Sequence, residues 1–253
     1  MYLNLVQYCP EWENKKTNKE KLIKLISGNL IQESVLILPE LTLTGFTMKS
    51  NDFAEDLKGD SFQFFARIAS ENKVHVIAGL IEHKNGLNYN TLVHINHLGA
   101  LQTSYRKIHP FSYSAENKFY SHGDKTVVTD INGWKVGLSI CYDLRFPELF
   151  RQYGKEKAEL IIIIANWPDS RIGQWKTLLC ARAIENQCYV AAVNRVGDDL
   201  RLHYNGCSCI YDPMGNEVAF LPDIEKIISA EISRESVEQV RNKFPFLDDI
   251  SLI

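Results

Sequence analysis

Apolar runs of strand length recur along the whole chain, separated by amphipathic stretches. The runs Tyr2 to Gln7, Val35 to Leu38, Val74 to Ile81, Thr91 to Asn96, Leu160 to Ile164, Tyr189 to Asn194, Gly206 to Tyr211 and Ile227 to Ile232 predict strands. Asn18 to Leu30, Phe62 to Glu71, Phe146 to Tyr153, Ile172 to Asn186 and Ser236 to Lys243 predict helices. The uninterrupted run Ser34-Val35-Leu36-Ile37-Leu38-Pro39 has the character of a parallel strand buried on both faces. Hairpin signals at His97-Leu98-Gly99, Asn132-Gly133 and Pro213-Met214-Gly215-Asn216 make the sheets mixed, and the second joins Val127–Ile131 to Trp134–Ile140. Alternating strands and helices argue for an α/β fold. The 253 residues can bury a large core and contain no repeat, low-complexity stretch or linker, so residues 1–253 read as one domain.

Three polar residues stand where such runs end. Cys141 lies between Trp134–Ile140 and the helical stretch from Phe146, at the C-terminal end of a buried strand and near the positive end of the next helix. That position suits a nucleophile held as thiolate; a buried cysteine that merely packs is the alternative. Glu40 follows the run Ser34–Pro39, where partial desolvation suits a general base, although a surface-loop glutamate is the commoner case. Lys107 ends Ala100–Arg106 and enters Ile108-His109-Pro110-Phe111, which reads as a cavity-lining loop. A base, a cation for a developing oxyanion and a nucleophile make a complete hydrolytic set.

Leu38–Phe46, Arg106–Phe111 and Cys141–Glu148 resemble, in order, the glutamate, lysine and cysteine motifs of the carbon–nitrogen hydrolase, or nitrilase, superfamily. The resemblance continues through Ala165–Pro168, Ala181–Gln187 and Asp212–Gly215. It implies a four-layer αββα sandwich with mixed sheets, the catalytic residues Glu40, Lys107 and Cys141, and a second glutamate, for which Glu116 is the best match. The implied role of Glu116 is to orient Lys107; the alternative is a solvated acid on a short helical turn. The family's chemistry is amide hydrolysis through a thioester, with no metal and no cofactor.

The run Cys141–Pro147, with Ala165–Pro168 and Trp175, most resembles the ω-amidase branch, which implies the substrates 2-oxoglutaramate and 2-oxosuccinamate, with water as the second reactant. A deaminated glutathione amidase is the rival inside the family, and a catalytically silent binding module the rival outside it. Such a substrate carries a carboxylate, for which Arg145 and Arg195 are candidates. Arg145 could instead pair with Glu148, and Arg195 could be an exposed loop charge. Phe46, Phe111, Tyr142 and Trp167, each beside a motif, are candidate walls of the pocket, or simply core.

Composition narrows the partners. A net charge of −3 without a basic stripe argues against nucleic acid, and no apolar run approaches a membrane span. Cys9, Cys180, Cys188, Cys207 and Cys209 make no metal-ligand spacing and read as packing. A start directly on a strand, with no basic leader, and a thiol needing reduction point to the cytoplasm. The resemblance also implies a homodimer, to which Phe244-Pro245-Phe246 could contribute unless it folds back on its own core.

Overall fold

The computed structural model describes residues 1–251. The strands are β1 (Tyr2–Gln7), β2 (Val35–Ile37), β3 (His75–Lys84), β4 (Leu87–Ile95), β5 (Leu101–Arg106), β6 (Val128–Ile131), β7 (Trp134–Ile140), β8 (Leu160–Ala165), β9 (Tyr189–Asn194), β10 (Val196–Asp198), β11 (His203–Asn205), β12 (Cys209–Tyr211), β13 (Glu217–Phe220) and β14 (Lys226–Glu231). The helices are α1 (Lys15–Ile26), α2 (Ser50–Phe53), α3 (Asp60–Asn72), α4 (Pro147–Lys155), α5 (Ile172–Asn186) and α6 (Arg234–Lys243).

Two six-stranded sheets form, in the orders β14-β1-β2-β3-β4-β5 and β13-β12-β9-β8-β7-β6, with β10 and β11 as a separate hairpin. Each sheet has three parallel strands at its centre, β1-β2-β3 and β7-β8-β9, and antiparallel strands outside them. Strand β2 shows why a continuous apolar run is needed. Val35 and Ile37 point into the core shared with the other sheet, whereas Leu36 and Leu38 pack with Leu22 and Ile26 of α1 and Phe65 and Ile68 of α3. On the far side, α4 and α5 cover β7 to β9 through Leu149, Phe150, Trp175, Leu179 and Ala183. The layers are therefore α-β-β-α.

Element ends shift from the sequence expectation for identifiable reasons. Helix α1 starts earlier, because the Asn14 side chain accepts a hydrogen bond from Thr17 N at 3.1 Å and caps it. The last predicted helix also starts earlier, at Arg234, and the strand expected from Gly206 begins only at Cys209, since Gly206 and Cys207 both have positive φ. Asn85 and Gly86, with φ of 52° and 78°, form a hairpin between β3 and β4 that was not anticipated.

One buried polar chain crosses between the sheets. Thr129 Oγ1 donates to His94 Nδ1 at 2.9 Å, His94 Nε2 donates to His75 Nδ1 at 2.9 Å, and His75 Nε2 donates to Asn132 Oδ1 at 3.2 Å. This direction satisfies every member with both imidazoles neutral. Burial pushes His75 down, and burial with the neighbouring His75 pushes His94 down to about 3. Because the unfolded chain binds protons at ordinary histidine values, stability is full above about pH 6.5 and is lost as the pH falls toward 3. Histidine 94 alone should contribute a slope of about 1.4 kcal/mol per pH unit in that window. Urea unfolding between about pH 6 and about pH 4 should show a shallower loss for His94→Gln than for wild type; parallel slopes would refute the assignment.

Candidate active site

The ends of the parallel strands of both sheets converge on one point. Beyond β2, Glu40 enters from the first sheet; beyond β7 and β8, Cys141 and Asn166 enter from the second; Lys107 follows β5. Gly79 on β3 lets the Glu40 segment lie against the sheet, since a Cβ there would sit 2.5 Å from Leu41 N. Leu41 and Cys141 take left-handed backbone, with φ of 44° and 47°. At Cys141 the strand turns sharply into the 3-10 turn Cys141–Arg145, which throws the thiol out of the sheet.

Glu40, Lys107 and Glu116 form a cluster sealed from solvent, each 0–1% exposed. Lys107 Nζ donates to Glu40 Oε1 at 2.8 Å and to Glu116 Oε2 at 3.0 Å. Asn90 Nδ2 bridges the two carboxylates at 2.8 and 2.9 Å. Asn166 N donates to Glu40 Oε2 at 2.8 Å, tying the second sheet to the first, and Phe111 N donates to Glu116 Oε2 at 2.5 Å. Glu116 is thus buried in a short 3-10 turn and not solvated.

Charge states follow from this packing. Burial alone would lower the Lys107 pKa, but Glu116 and Glu40 overcome it and hold the ammonium well above the ordinary lysine value. Burial raises the Glu116 pKa, with Glu40 adding to it against the pull of Lys107. For Cys141, burial and then Glu40 push the thiol well above its ordinary value, outweighing Lys107. The expected resting thiolate is corrected accordingly: the thiol rests neutral, because desolvation and an adjacent carboxylate both disfavour a second negative charge.

Asp143 joins the cysteine turn to the lysine loop. It accepts from Ile140 N at 3.1 Å, Tyr105 Oη at 2.7 Å, His109 N at 2.9 Å and His109 Nδ1 at 2.8 Å. Above Cys141 opens a cavity of about 330 Å³, walled by Phe46, Phe111, Tyr142, Arg145, Trp167 and Arg171 among others. Asn194 at the end of β9 accepts from Trp167 N at 2.7 Å and so fixes that wall.

Comparison with known proteins agrees with this geometry. The carbon-nitrogen hydrolase family model matches residues 3–242. The chain belongs to the carbon–nitrogen hydrolase family. It is 35% identical over 250 residues to a 2-oxoglutaramate amidase of Bacillus subtilis, covering 98% of this chain and 96% of that protein. With omega-amidase YafV of Escherichia coli it shares 32% identity over 252 residues, 98% of this chain and 95% of the relative. A solved CN-hydrolase superfamily protein of Xanthomonas campestris, carrying an arsenic adduct in its active site, superposes with a TM-score of 0.96 at 32% identity, over 100% of this chain and 98% of the other.

In this carbon–nitrogen hydrolase the candidate wall residues Phe46, Phe111, Tyr142, Arg145 and Trp167 all line the cavity. Arg195 does not. Fully buried, it donates to Val196 O and Asp198 O and lies 4.5 Å from the Tyr204 ring, so it braces the β10–β11 hairpin and is neither a ligand in the cavity nor an exposed loop charge. Arg145 makes no pair with Glu148; its Nη2 donates to Gln174 Oε1 at 2.7 Å. Asn90, Asp143 and Arg171 were not anticipated. Asn166 was legible by the logic applied to Glu40, as a polar residue ending an all-apolar strand, whereas mid-strand Asn90 carries no such signal.

Lys107→Met should cost about 3–5 kcal/mol of stability at neutral pH, because two buried carboxylates lose their shared cation. Their pKa values would then lie above the unfolded ones, so the penalty should shrink as pH falls toward about 5. Adding Glu116→Gln should recover part of it; urea unfolding that shows no recovery would contradict this charge balance.

Proposed function

We propose that this chain is a cysteine-dependent ω-amidase that hydrolyses the terminal amide of short 2-oxo acids, 2-oxoglutaramate and 2-oxosuccinamate, to the dicarboxylic 2-oxo acid and ammonia. The observation that carries this reading is a cavity that has Cys141 in its wall and a guanidinium without a carboxylate partner, Arg145, in the same wall. The names of the relatives support the same substrate class.

The roles follow from the geometry. Sulfur attacks the amide carbon as Glu40 takes the thiol proton, which suits a thiol that rests neutral. Lys107, kept charged by Glu116 and Glu40, and the Tyr142 N–H face the developing oxyanion. The tetrahedral intermediate collapses, the C–N bond breaks, and ammonia leaves with the proton from Glu40. Water then attacks the thioester, giving one proton to Glu40 that returns to sulfur as the acid departs. Atoms and charge balance with these residues and water, without a metal or cofactor. Arg145, 4.7 Å from the Trp167 ring, binds the substrate carboxylate, with Phe46, Phe111, Tyr142 and Trp167 around the carbon chain.

Residues 1–253 act as one carbon–nitrogen hydrolase domain, a reading supported by the family match over 3–242 and by the core the two sheets share. The protein works as a homodimer in the reducing cytoplasm. Ile184, Met214 and Phe246 are exposed apolar side chains available for that contact, and Gln187 Nε2 donates to Phe244 O at 2.7 Å. The six free cysteines fit a reducing compartment.

Ammonia release should be measured for wild type and Cys141→Ala on 2-oxoglutaramate, 2-oxosuccinamate, deaminated glutathione, glutamine and a simple nitrile. Wild type should prefer the 2-oxo amides, and Cys141→Ala should lose at least about 10⁴-fold in kcat while keeping its fold. Preference for deaminated glutathione would change the substrate and keep the mechanism. Silence on every compound, or substantial turnover by the alanine variant, would refute the reading.

A further inference from the structure

Arg171 sits at a cost to the fold. It is the residue before α5, its side chain makes no cap, and the first turn of α5 holds no acid. A cation there opposes the helix macrodipole. It also faces a like charge: burial, and after it the Arg171 guanidinium, push the Arg145 pKa down. Among the described residues Arg106, Arg151, Arg182 and Arg234 have carboxylate partners, whereas none of the three arginines lining the cavity, Arg145, Arg171 and Arg201, has one.

The acids of the same wall are already engaged. Glu13 accepts from Lys49 Nζ at 2.7 Å and Thr47 Oγ1 at 2.5 Å. Asp199 accepts from Tyr204 Oη at 2.6 Å and from the N–H groups of Arg201 and Leu202 at 2.7 and 2.8 Å. Arg145 and Arg171 instead lie over aromatic rings, 4.7 Å from Trp167 and 5.5 Å from Phe111, whereas Arg201 is exposed and lies over none. Packing of that kind shields the guanidinium face and leaves in-plane N–H donors for a planar anion. Trp167 Nε1 also donates to Arg171 O at 2.9 Å, so the wall that carries one guanidinium positions the other.

We infer that Arg171 and Arg145 form a two-guanidinium clamp on the substrate carboxylate, and that Arg171 sets the preference for anionic over neutral amides. The inference rests on the ω-amidase reading and extends it to a residue outside the three motifs. The bound carboxylate removes the repulsion between the arginines and the conflict with the dipole of α5, so the anion completes the site electrostatically.

The test compares kcat/KM for glutaramate with that for pentanamide, equal in chain length and different in the carboxylate. Arg171→Gln should lower the glutaramate-to-pentanamide ratio by about 10- to 100-fold, mainly through KM, and Arg171→Lys should restore part of it. An unchanged ratio in Arg171→Gln would overturn the clamp. A wild type without any preference for glutaramate would remove the ω-amidase reading and the clamp with it, and that outcome is visible before any variant is made. As a check independent of turnover, 2-oxoglutarate should raise the Tm of Cys141→Ala and lose most of that shift in Cys141→Ala/Arg171→Gln. Equal shifts in the two proteins would also overturn it. The Arg171 substitution itself should leave Tm level or higher without ligand, since it relieves a like-charge contact.

Discussion

The charge cluster of Glu40, Lys107 and Glu116 is the constraint around which the site is arranged. Three ionisable groups with almost no exposure are tolerable only when every one is satisfied from nearby, because the desolvation of each costs several kcal/mol. Lys107 serves both carboxylates, Asn90 bridges them, and main-chain N–H groups from Phe111 and Asn166 complete the set. These donors come from strand β4 of one sheet, the loop after β5 and the segment that follows β8 of the other sheet. The cluster therefore forms only when the sandwich is closed, and its requirement for partners fixes how the sheets meet at that end.

The thiol inherits its state from that arrangement. A thiolate next to two buried carboxylates would place a third negative charge in a space with a single cation, so burial and Glu40 keep the sulfur protonated. On the proposed mechanism, reactivity is supplied at the moment of attack, by a base already in place and a cation already charged. The turn at Cys141 and the close approach permitted by Gly79 supply the alignment, and Asp143 locks the cysteine turn to the lysine loop through its four accepted hydrogen bonds. At the inner end of the cavity Lys107 answers two carboxylates; at the outer end Arg145, Arg171 and Arg201 lack carboxylate partners. The proposed preference for an anionic over a neutral amide rests on that asymmetry.

What the sequence determined by itself was most of what local periodicity governs. Continuous apolar runs had to be strands buried on both faces, Asn132-Gly133 had to turn a hairpin, and polar residues ending such runs had to emerge at one edge of a sheet. That logic covers Glu40 and Cys141, and it extends to Asn166. Tertiary structure decided which side chains meet. Asn90 lies inside β4 and looks like any strand asparagine until Glu40 and Glu116 arrive from 50 and 26 residues away. Two arginines that look alike in sequence diverge for the same reason: Arg195 is drawn inward by the carbonyls of Val196 and Asp198, and Arg171 is left facing the cavity. Periodicity is a property of neighbours along the chain, whereas hydrogen bonds and fields depend on distances through space, which only the closed fold defines.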